Sequence, residues 1–278
     1  MKKILVPTDF TDVAHHALHL AAQLAQQTGA EVELLHVLET TSTAPYDLPE
    51  KVVGATGNTF LDYLEASARE QLEKTARAYA DVPIRYLVRQ GSPFRAIDQR
   101  ASEQRVDLIV MGSKGSSGLD ELLIGSNAER VVRFAPCPVL VVKGNLSLAA
   151  IKKVVYVTDF APEQAEAVSH FLKFMSLLEA EVHLLYINTP TDWITSRAAL
   201  KKMEAFRAQH NLNAQFTLYS DATEEEGIHH FVSDIGAQLV AMPTYGRTGI
   251  TRLIAGGSIT ENVLNHTRVA LWTYRLRE

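Results

Sequence analysis

Residues 107–126 read DLIVMGSKGSSGLDELLIGS, which predicts a strand, a glycine-bearing loop and the start of a helix. In an α/β protein, the loop at the carboxyl end of such a strand is a place where a phosphate chain can bind. Gly112 and Gly115 let the backbone approach a ligand because neither carries a Cβ. The helix that opens at Gly125 and Ser126 has unpaired N–H groups and a positive dipole end, which attract anions. The stretch therefore predicts a bound nucleotide.

The sequence also repeats itself along its length. At an offset of 150, KKILVPTDF at residues 2–10 lies over KKVVYVTDF at residues 152–160. The offset later falls to about 131, where DLIVM at residues 107–111 pairs with QLVAM at residues 238–242. The second copy therefore lacks about nineteen residues, which we assign to a polar surplus at residues 39–58 of the first copy. A repeat of this length predicts two tandem domains rather than a solenoid.

Each copy alternates short β-rich runs with longer helical segments. The first copy has five predicted strands, at residues 3–8, 31–38, 83–89, 107–112 and 138–143. Its four predicted helices cover residues 11–28, 58–80, 93–105 and 126–135. This alternation predicts a parallel sheet covered on both faces, with every strand-to-helix loop at one edge. We place the two domains at residues 1–146 and 147–278, and the fold in the doubly wound α/β class.

Composition excludes several classes of partner. The 278 residues are 46% hydrophobic, enough to bury two cores, and the net charge of −5 offers no general attraction to nucleic acid or to an anionic membrane. No apolar stretch of the sequence approaches the roughly 18 residues that span a bilayer. The single cysteine, Cys137, excludes an internal disulfide and an all-cysteine metal site. The sequence thus predicts a soluble, cytoplasmic protein with no nucleic-acid or membrane partner.

Two other loops of the same edge supply candidate ligand-binding residues. Pro7, Thr8 and Asp9 leave the first strand, and Val37 ends the second. The Asp9 carboxylate can accept hydrogen bonds from ribose hydroxyls or help to place a metal ion, and the backbone at Val37 can pair with a purine edge. The alternative is that Asp9 and Thr11 only cap the following helix. Because the glycine loop lies at the same edge, we favour a shared ligand site in which the cap is a second role.

The sequence gives little support to a P-loop, a dinucleotide-binding, a zinc or a cysteine-based site. The sequence has neither the glycine-lysine-serine/threonine ending of a P-loop nor a G-x-G-x-x-G after its first strand. His15, His16 and His19 lie close together, but no nearby fourth ligand has a zinc spacing. Cys137 lacks an assignable base and is interpreted as a small buried side chain. We therefore assign no catalytic residue and no metal ligand.

This arrangement resembles the nucleotide-binding branch of the universal stress protein family, over nearly the whole chain as two tandem domains. That branch carries glycine, two residues, glycine, nine residues, then glycine followed by serine or threonine. Gly112, Gly115, Gly125 and Ser126 fit this spacing. The resemblance implies two five-stranded parallel sheets with strand order 3-2-1-4-5, flanked by helices, and ATP at the carboxyl edge of the sheet.

The resemblance also implies a role for each residue of the site. Adenine and ribose are expected against one group of residues: Pro7, Thr8, Asp9 and Val37. The ribose and the first phosphates are expected along a second group: Met111, Gly112 and Gly115. The later phosphates are expected at the backbone N–H groups of a third, with the serine hydroxyl: Gly125, Ser126 and Asn127. Lys114, in the same loop, is expected to neutralise phosphate charge.

The second copy departs from the pattern. Pro243 stands where Gly112 does, which removes a backbone N–H, and ten residues rather than nine separate Gly246 from Gly257. We therefore expect ATP in the first domain and weak or no nucleotide binding in the second. In the family that the chain resembles, the last strand pairs antiparallel with its counterpart in another domain. Here both counterparts lie in one chain, which implies an internal pseudo-dimer and leaves a homodimer open.

The sequence leads to one preferred function and two alternatives. We expect a stress-response protein that binds ATP (with ADP and AMP as alternatives) and Mg²⁺ or Mn²⁺ on the phosphates, and that acts as a nucleotide-dependent sensor or adaptor. A loop near residues 114–119 is expected to order around the phosphates. No general base is assignable, so hydrolysis is expected to be slow. The alternatives are a weak metal-dependent ATPase or adenylate-transferring enzyme, and an interaction protein whose glycine loops are ordinary turns.

Overall fold

The computed structural model describes residues 1–39, 57–114, 124–245 and 269–276. In this part of the chain, the strands are β1 (Lys3–Pro7), β2 (Glu31–Leu38), β3 (Ile84–Gln90), β4 (Leu108–Gly112), β5 (Val139–Val142), β6 (Lys153–Val157), β7 (Glu181–Asn188), β8 (Gln215–Ser220), β9 (Leu239–Tyr245) and β10 (Ala270–Leu276). The α-helices are α1 (Asp12–Thr28), α2 (Gly57–Arg77), α3 (Pro93–Glu103), α4 (Ser126–Phe134), α5 (Ala165–Met175), α6 (Ser196–His210) and α7 (Glu224–Ile235). The α/β class expected from the sequence is confirmed.

The strands form one ten-stranded sheet in the order β3-β2-β1-β4-β5-β10-β9-β6-β7-β8. Neighbouring strands are parallel except for β5 and β10, which pair antiparallel at the centre. Strands β1–β5 form the first half of the sheet and β6–β10 the second, and each half has the strand order 3-2-1-4-5 when its own strands are counted. Because an antiparallel pair joins the halves, the carboxyl ends of their strands point in opposite directions.

Helices cover both faces of the sheet, as strands that are apolar on both sides require. All four residues of β5 are buried. One core lies between the sheet and α1, α2, α5 and α6, and includes Leu18 and Phe171. The other core lies between the sheet and α3, α4 and α7, and includes Ile97 and Val131. Helices α1 and α4 of the first half therefore lie on opposite faces of the sheet.

Helix α1 shows how local sequence sets the ends of an element. At its start, the Thr11 hydroxyl accepts a hydrogen bond from the Ala14 N–H at 3.3 Å. At its end, Gly29 adopts a φ of 70°, the left-handed conformation that favours glycine after a helix. The apolar stripe between these residues is buried, as its helical spacing predicts. The cap therefore starts α1 after the four residues that follow β1, at the edge that carries the candidate site.

The seam between the halves is made by β5 and β10. Leu271 lies opposite Val141, and the neighbouring Trp272 is completely buried. Arg275 of β10 donates from Nη1 to the carbonyl oxygen of Phe134, the last residue of α4, at 2.9 Å. A helix of the first half is thus hydrogen-bonded to a strand of the second. This is the internal pairing of two halves that the sequence predicts.

One expectation falls mostly outside the described residues, and one helix ends earlier than expected. The polar surplus at residues 39–58 overlaps residues 40–56, which the structure does not describe. The predicted helix at residues 58–80 is present as α2, but it ends at Arg77. The chain turns before Pro83, which has no N–H to continue a helix, and the Val82 N–H donates to the Tyr79 carbonyl oxygen at 3.0 Å.

Candidate functional site

The candidate site lies where the strand order of the first half reverses, at the carboxyl ends of β1 and β4. Helix α1 follows β1 onto one face of the sheet, and α4 follows β4 onto the other. The diverging helices leave a crevice between the two strand ends. In open α/β sheets, ligands bind at this position.

The turn after β1 is held by its own side chains. Phe10 has a φ of 65°, and its N–H donates to the Thr8 hydroxyl oxygen at 3.1 Å. One carboxylate oxygen of Asp9 accepts hydrogen bonds from the Thr11 N–H at 3.1 Å and from the Thr11 hydroxyl at 2.6 Å. Thr11, rather than Asp9, caps α1. Asp9 therefore supports the cap through Oδ1, and its role towards a ligand stays a prediction.

His36 adds a contact that the sequence analysis missed. Its Nδ1 lies 2.8 Å from the Thr8 carbonyl oxygen, so the ring donates a hydrogen bond to the turn. The centroid of the ring lies 4.5 Å from that of Phe10. These contacts anchor β2 to the turn after β1. A single histidine in a strand has no spacing that marks it, so no sequence signal could have found it.

Val37 lies near the end of β2, beyond the point where β1 stops. In a parallel strand, the N–H and C=O of one residue point to the same side, and alternate residues point to opposite sides. The Thr8 N–H donates to the Leu35 carbonyl oxygen at 2.9 Å. The backbone N–H and C=O of Leu35, and therefore also those of Val37, point towards the side of β1. Strand β1 ends at Pro7, and among the described residues no backbone group pairs with the N–H or C=O of Val37. Val37 thus presents one donor and one acceptor to the crevice.

The glycine loop is closed at its base by backbone hydrogen bonds. The Ser113 N–H donates to the Val142 carbonyl oxygen, and the Gly125 N–H donates to the Ser113 carbonyl oxygen, both at 2.9 Å. Gly112 lies tight against the start of α1, because a Cβ there would lie 3.0 Å from Val13 Cγ1 and 3.2 Å from the Val13 carbonyl carbon. Packing against α1 therefore favours a glycine at position 112, independently of any ligand.

Helix α4 opens with backbone donors that have no partner among the described residues. Its N-cap is Gly125, which has no side chain to cap the helix. The first backbone N–H that donates within the helix is that of Glu129, to the Gly125 carbonyl oxygen at 3.1 Å. Within the described part of the chain, the N–H groups of Ser126, Asn127 and Ala128 have no partner. One detail of the expectation is corrected: the Gly125 N–H is used in the loop closure, so the available donors begin one residue later.

The remaining predicted residues surround these groups. Pro7 ends β1 and is half-buried. Met111 is buried in the core that lies between the sheet and α4. Lys114 follows the loop closure directly. Gly115 lies outside the described residues, so its predicted role is not addressed by the structure.

A second lysine lies beside the loop. Lys143 directly follows β5, and burial together with the nearby charge of Lys114 lowers its pKa to about 8. The Lys114 ammonium disfavours the charged form of Lys143, whereas a nearby anion would favour it. The potential at the loop base is therefore positive. The sequence offered a signal that was missed, because Lys143 ends the last strand of the first repeat at the same edge of the sheet.

The second half repeats the turn after its first strand but fills it with a side chain. Phe160 has a φ of 63°, and its N–H donates to the Thr158 hydroxyl oxygen at 2.9 Å. Gln164 stands where Ala14 does in the first half and is 1% exposed. Its amide oxygen accepts from the Thr158 hydroxyl at 2.8 Å, and its amide nitrogen donates to Asp159 Oδ1. Both polar side chains of this turn are thus bound within the protein.

The strand that precedes the second loop also differs. The registers of β4 with β1 and of β9 with β6 place Pro243 at the position of Gly112. Strand β4 ends at Gly112, whereas β9 continues two residues beyond Pro243 to Tyr245. Gly246 and Gly257 lie outside the described residues. The edge of the sheet therefore has a different shape in the two halves.

The histidines of α1 make local contacts. His15 Nδ1 lies 2.8 Å from the Thr11 carbonyl oxygen, and His19 Nε2 lies 2.9 Å from the side-chain nitrogen of Gln23. In the part of the chain that the structure describes, no three His, Cys, Asp or Glu side chains are grouped so that they could hold a metal ion. Cys137 is buried. Among the described helices, none is long and apolar enough to cross a membrane.

The fold defines a tandem, doubly wound α/β protein whose candidate site lies at the strand reversal of its first half. The sequence model described as "Universal stress protein family" matches residues 1–143 and again residues 150–275. The chain therefore belongs to the universal stress protein family and contains two copies of its domain.

Similar proteins match one copy or both. Universal stress protein MJ0531 of Methanocaldococcus jannaschii is 36% identical over 145 residues, which are 51% of this chain and 82% of that protein. Universal stress protein MJ0577 of the same organism is 33% identical over 153 residues, covering 51% and 94% of the two chains. The crystal structure of a universal stress protein from Archaeoglobus fulgidus covers 99% of this chain and 98% of its own, with a TM-score of 0.77 and 21% identity. That structural match shows the fold alone.

Proposed function

We propose that the first half binds an adenine nucleotide, with ATP as the expected ligand, and that the protein acts as a nucleotide-dependent sensor or adaptor. Two sets of unused backbone groups at one crevice carry this proposal. Val37 offers a donor and an acceptor to the edge of a purine, and the start of α4 offers three N–H groups to phosphates. A nucleotide has partners for both sets.

The proposed site keeps the residues that the sequence analysis assigned. The base and ribose lie against the first group: Pro7, Thr8, Asp9 and Val37. The phosphates lie along the second: Met111, Gly112, Lys114, Gly115, Gly125, Ser126 and Asn127. To these we add Lys143, because it shares the positive potential of the loop base with Lys114. The ordering of the loop near residues 114–119 concerns residues that lie mostly outside the described part, and it stays a prediction.

A divalent cation belongs to this proposal as a partner of the phosphates. Mg²⁺ keeps several waters and needs only one or two protein carboxylates beside substrate phosphates. Asp9 fits that requirement, because its carboxylate lies at the end of β1 and uses Oδ1 for Thr11. Mg²⁺ or Mn²⁺ would neutralise part of the phosphate charge. Since the sequence offers no assignable general base, we propose that hydrolysis is slow or absent.

The proposal is asymmetric between the domains, which we place at residues 1–146 and 147–278. In the second half, Gln164 already binds Thr158 and Asp159, and Pro243 replaces the glycine that ends β4. These differences favour weak or no nucleotide binding there. Whether two chains associate further is left to measurement.

Release and titration of nucleotide test the proposal directly. Heat or acid should release an adenine nucleotide from the purified chain, identified by chromatography and counted per chain. Calorimetric titration of stripped protein with ATP, ADP and AMP should then give one site per chain. Two equal sites would contradict the asymmetry, and no binding at all would contradict the function.

Turnover separates the sensor from an enzyme. With Mg²⁺ or Mn²⁺ present, we expect bound ATP to persist over many minutes. Rapid, metal-dependent release of ADP or AMP that is abolished by Asp9→Asn would replace the sensor by a weak ATPase or adenylate-transferring enzyme. Unchanged ATP binding in Gly125→Val would instead favour an interaction protein with ordinary glycine turns.

A further inference from the structure

A cleft of about 310 Å³ lies between the edge strand β3 and helix α3, outside the nucleotide site. Its charged lining consists of one carboxylate, Glu103, which accepts a hydrogen bond from Gln99 at 2.7 Å, and three arginines at the end of β3 and along the side of α3: Arg89, Arg95 and Arg100. The nucleotide site lies two strands away, between the ends of β1 and β4. By volume, the cleft could hold about ten water molecules, so a small organic or inorganic ion fits in it.

The three arginines differ in their partners. The guanidinium of Arg100 bonds to both carboxylate oxygens of Glu33, which fixes its position and offsets its charge. Within the described residues, neither Arg89 nor Arg95 makes an ion pair or a side-chain hydrogen bond. Arg85, on the same strand but outside the cleft, is paired with Glu31. Arg89 and Arg95 are thus exposed, permanently charged, forked donors at the cleft, without an ion pair among the described residues.

Backbone groups at the start of α3 add to this set. Ser92 is the N-cap but makes no side-chain cap bond, and the Ala96 N–H is the first to bond back, to the Ser92 carbonyl oxygen at 3.0 Å. Gly91, with a φ of 117°, has no heavy atom within 4 Å of the position a Cβ would take. The mouth of the cleft therefore stays open, with a hydroxyl and first-turn N–H groups at its rim.

The second half provides an internal comparison. The registers of β2 with β3 and of β7 with β8 place Tyr219 at the position of Arg89. Counting from the N-caps of α3 and α7, Glu226 stands at the position of Arg95. The counterpart region is therefore acidic where the cleft is basic.

That counterpart region also satisfies its own polar groups. Tyr219 donates to Asp234 at 2.9 Å, and His230 lies 2.7 Å from the Asp221 carboxylate. Thr223 accepts from the Glu226 N–H as the N-cap of α7. The same place in the fold is thus closed by internal bonds in one half and left open with unpaired cations in the other. This contrast indicates that the arginines face an external anion rather than serve the fold.

We propose that the cleft is a second anion site, which binds the phosphate group of a small molecule independently of the nucleotide. A phosphate dianion matches two unpaired arginines in charge, and its oxygens match their forked donors in geometry. The cleft and the arginines carry the proposal, and the start of α3 supplies further donors. Free phosphate and phosphate monoesters share this chemistry.

Arginine side-chain NMR tests the proposal on the full-length protein. The Nε–H resonances of Arg89, Arg95 and Arg85 are followed during separate titrations with inorganic phosphate, glycerol 3-phosphate and acetate. We expect saturable shifts of Arg89 and Arg95 with both phosphates and none of Arg85. Arg89→Gln and Arg95→Gln should each weaken binding by about tenfold, the loss typical of one charge-assisted hydrogen bond. Arg85→Gln is the matched control and should leave the affinity unchanged.

The outcomes divide clearly. Tighter binding of glycerol 3-phosphate would identify a phosphate monoester as the ligand class, and tighter binding of inorganic phosphate would identify the free ion. Equal or stronger shifts with acetate, non-saturable shifts, or equal shifts of Arg85 would overturn the site. Because the readout is specific to these arginines, it is independent of nucleotide binding, and ATP titration of the same variants should give unchanged affinity.

Discussion

The Gly125 N–H donates to the Ser113 carbonyl oxygen at 2.9 Å, which ties together the two ends of the glycine loop and fixes where α4 begins. Because this donor is used, Ser126 is the first residue of the helix with an N–H available to an anion. The hydrogen bond thus separates two roles that the glycine motif combines: closing the loop and opening the helix. The first role lies in the backbone of residues 113 and 125, and the second begins at Ser126.

The free N–H of Ser126 can be removed without breaking the helix. Proline is favoured at the first helical position, and Gly125, with ψ of 141°, already has the extended conformation that a following proline requires. We expect Ser126→Pro to weaken ATP binding by about tenfold, the loss of one hydrogen bond to a charged group. Calorimetric titration measures it, and Ser126→Ala, which keeps the N–H, is the control. Equal affinities for Ser126→Pro and Ser126→Ala would remove the helix amide from the site.

Gly112 should matter to stability before it matters to a ligand. In Gly112→Ala, the new Cβ would lie 3.0 to 3.3 Å from atoms of Val13 and Ala14, two of which are backbone. We expect the free energy of unfolding to fall by about 1–3 kcal/mol, as for other overpacked sites. Gly144→Ala is the matched control, since no heavy atom lies within 4 Å of its Cβ position. Chemical denaturation measures both, and equal stabilities would contradict the close packing of β4 on α1.

Gln164 should be a structural residue of the second half. Gln164→Ala removes the amide that bonds to Thr158 and Asp159 in a buried place. We expect the free energy of unfolding to fall by about 1–3 kcal/mol, because Thr158 and Asp159 each lose their hydrogen bond to Gln164. Glu163→Ala changes the exposed residue that precedes Gln164 in a single 3₁₀ turn (Pro162–Gln164) and serves as the control. If both variants unfold at the same denaturant concentration, the bridge contributes nothing.

The free energy of unfolding should rise at alkaline pH, because Lys143 then loses its unfavourable charge. Its pKa is about 8 in the folded protein against 10.5 as the ordinary value, because of burial and the charge of Lys114. The unfolded chain then binds more protons between these two pH values, so stability rises as pH increases from about 8 to 10.5. Lys143→Met should remove this part of the rise and should stabilise the protein at pH 7 by on the order of 1 kcal/mol, since the ammonium is partly solvated.

Thermal unfolding of the wild type and Lys143→Met across that pH range makes the comparison. Lys152→Met, a change at an exposed lysine, controls for loss of one charge. Parallel curves for the wild type and Lys143→Met would contradict the shifted pKa.

His230 should contribute stability in the opposite direction of pH. Its hydrogen bond to Asp221 raises its pKa above the ordinary 6.5, with help from the charges of Glu226 and Asp234. This contribution is fully present below pH 6.5 and is lost as the pH rises through the higher folded pKa. His230→Gln should therefore flatten the stability profile just above pH 6.5, whereas His229→Gln should not. Because the side chain is exposed, we expect a small effect, and identical profiles for both variants would exclude it.

The sequence predicted the architecture because the signals were repeated and periodic. Two copies of the same strand and helix order, with apolar runs such as Val139–Val142, specify a parallel sheet covered on both faces. The join between copies followed from the closing strands and the family resemblance. Only the ends of some elements differ, as at Arg77, where turns replace the last residues of the predicted helix.

The sequence supplied the residues proposed for the site, whose role towards a ligand stays a prediction, but it did not supply their hydrogen bonds. Glycine spacing located residues 112 and 125, but no spacing tells that the Gly125 N–H closes its own loop. The contact of His36 with Thr8 and the closeness of Lys143 to Lys114 join residues that are distant in sequence. Such contacts depend on strand register, which periodicity alone does not fix.

Placing β5 beside β10 within one polypeptide frees the two copies from having to be alike. In an assembly of identical chains, a glutamine in place of Ala14 would appear in every copy at once. Here Gln164 appears in one copy only, and that copy still supplies the strand that covers the edge of β5. The two copies are thus present at a fixed one-to-one ratio, and a change in the turn of one half leaves the pairing of β5 with β10 intact.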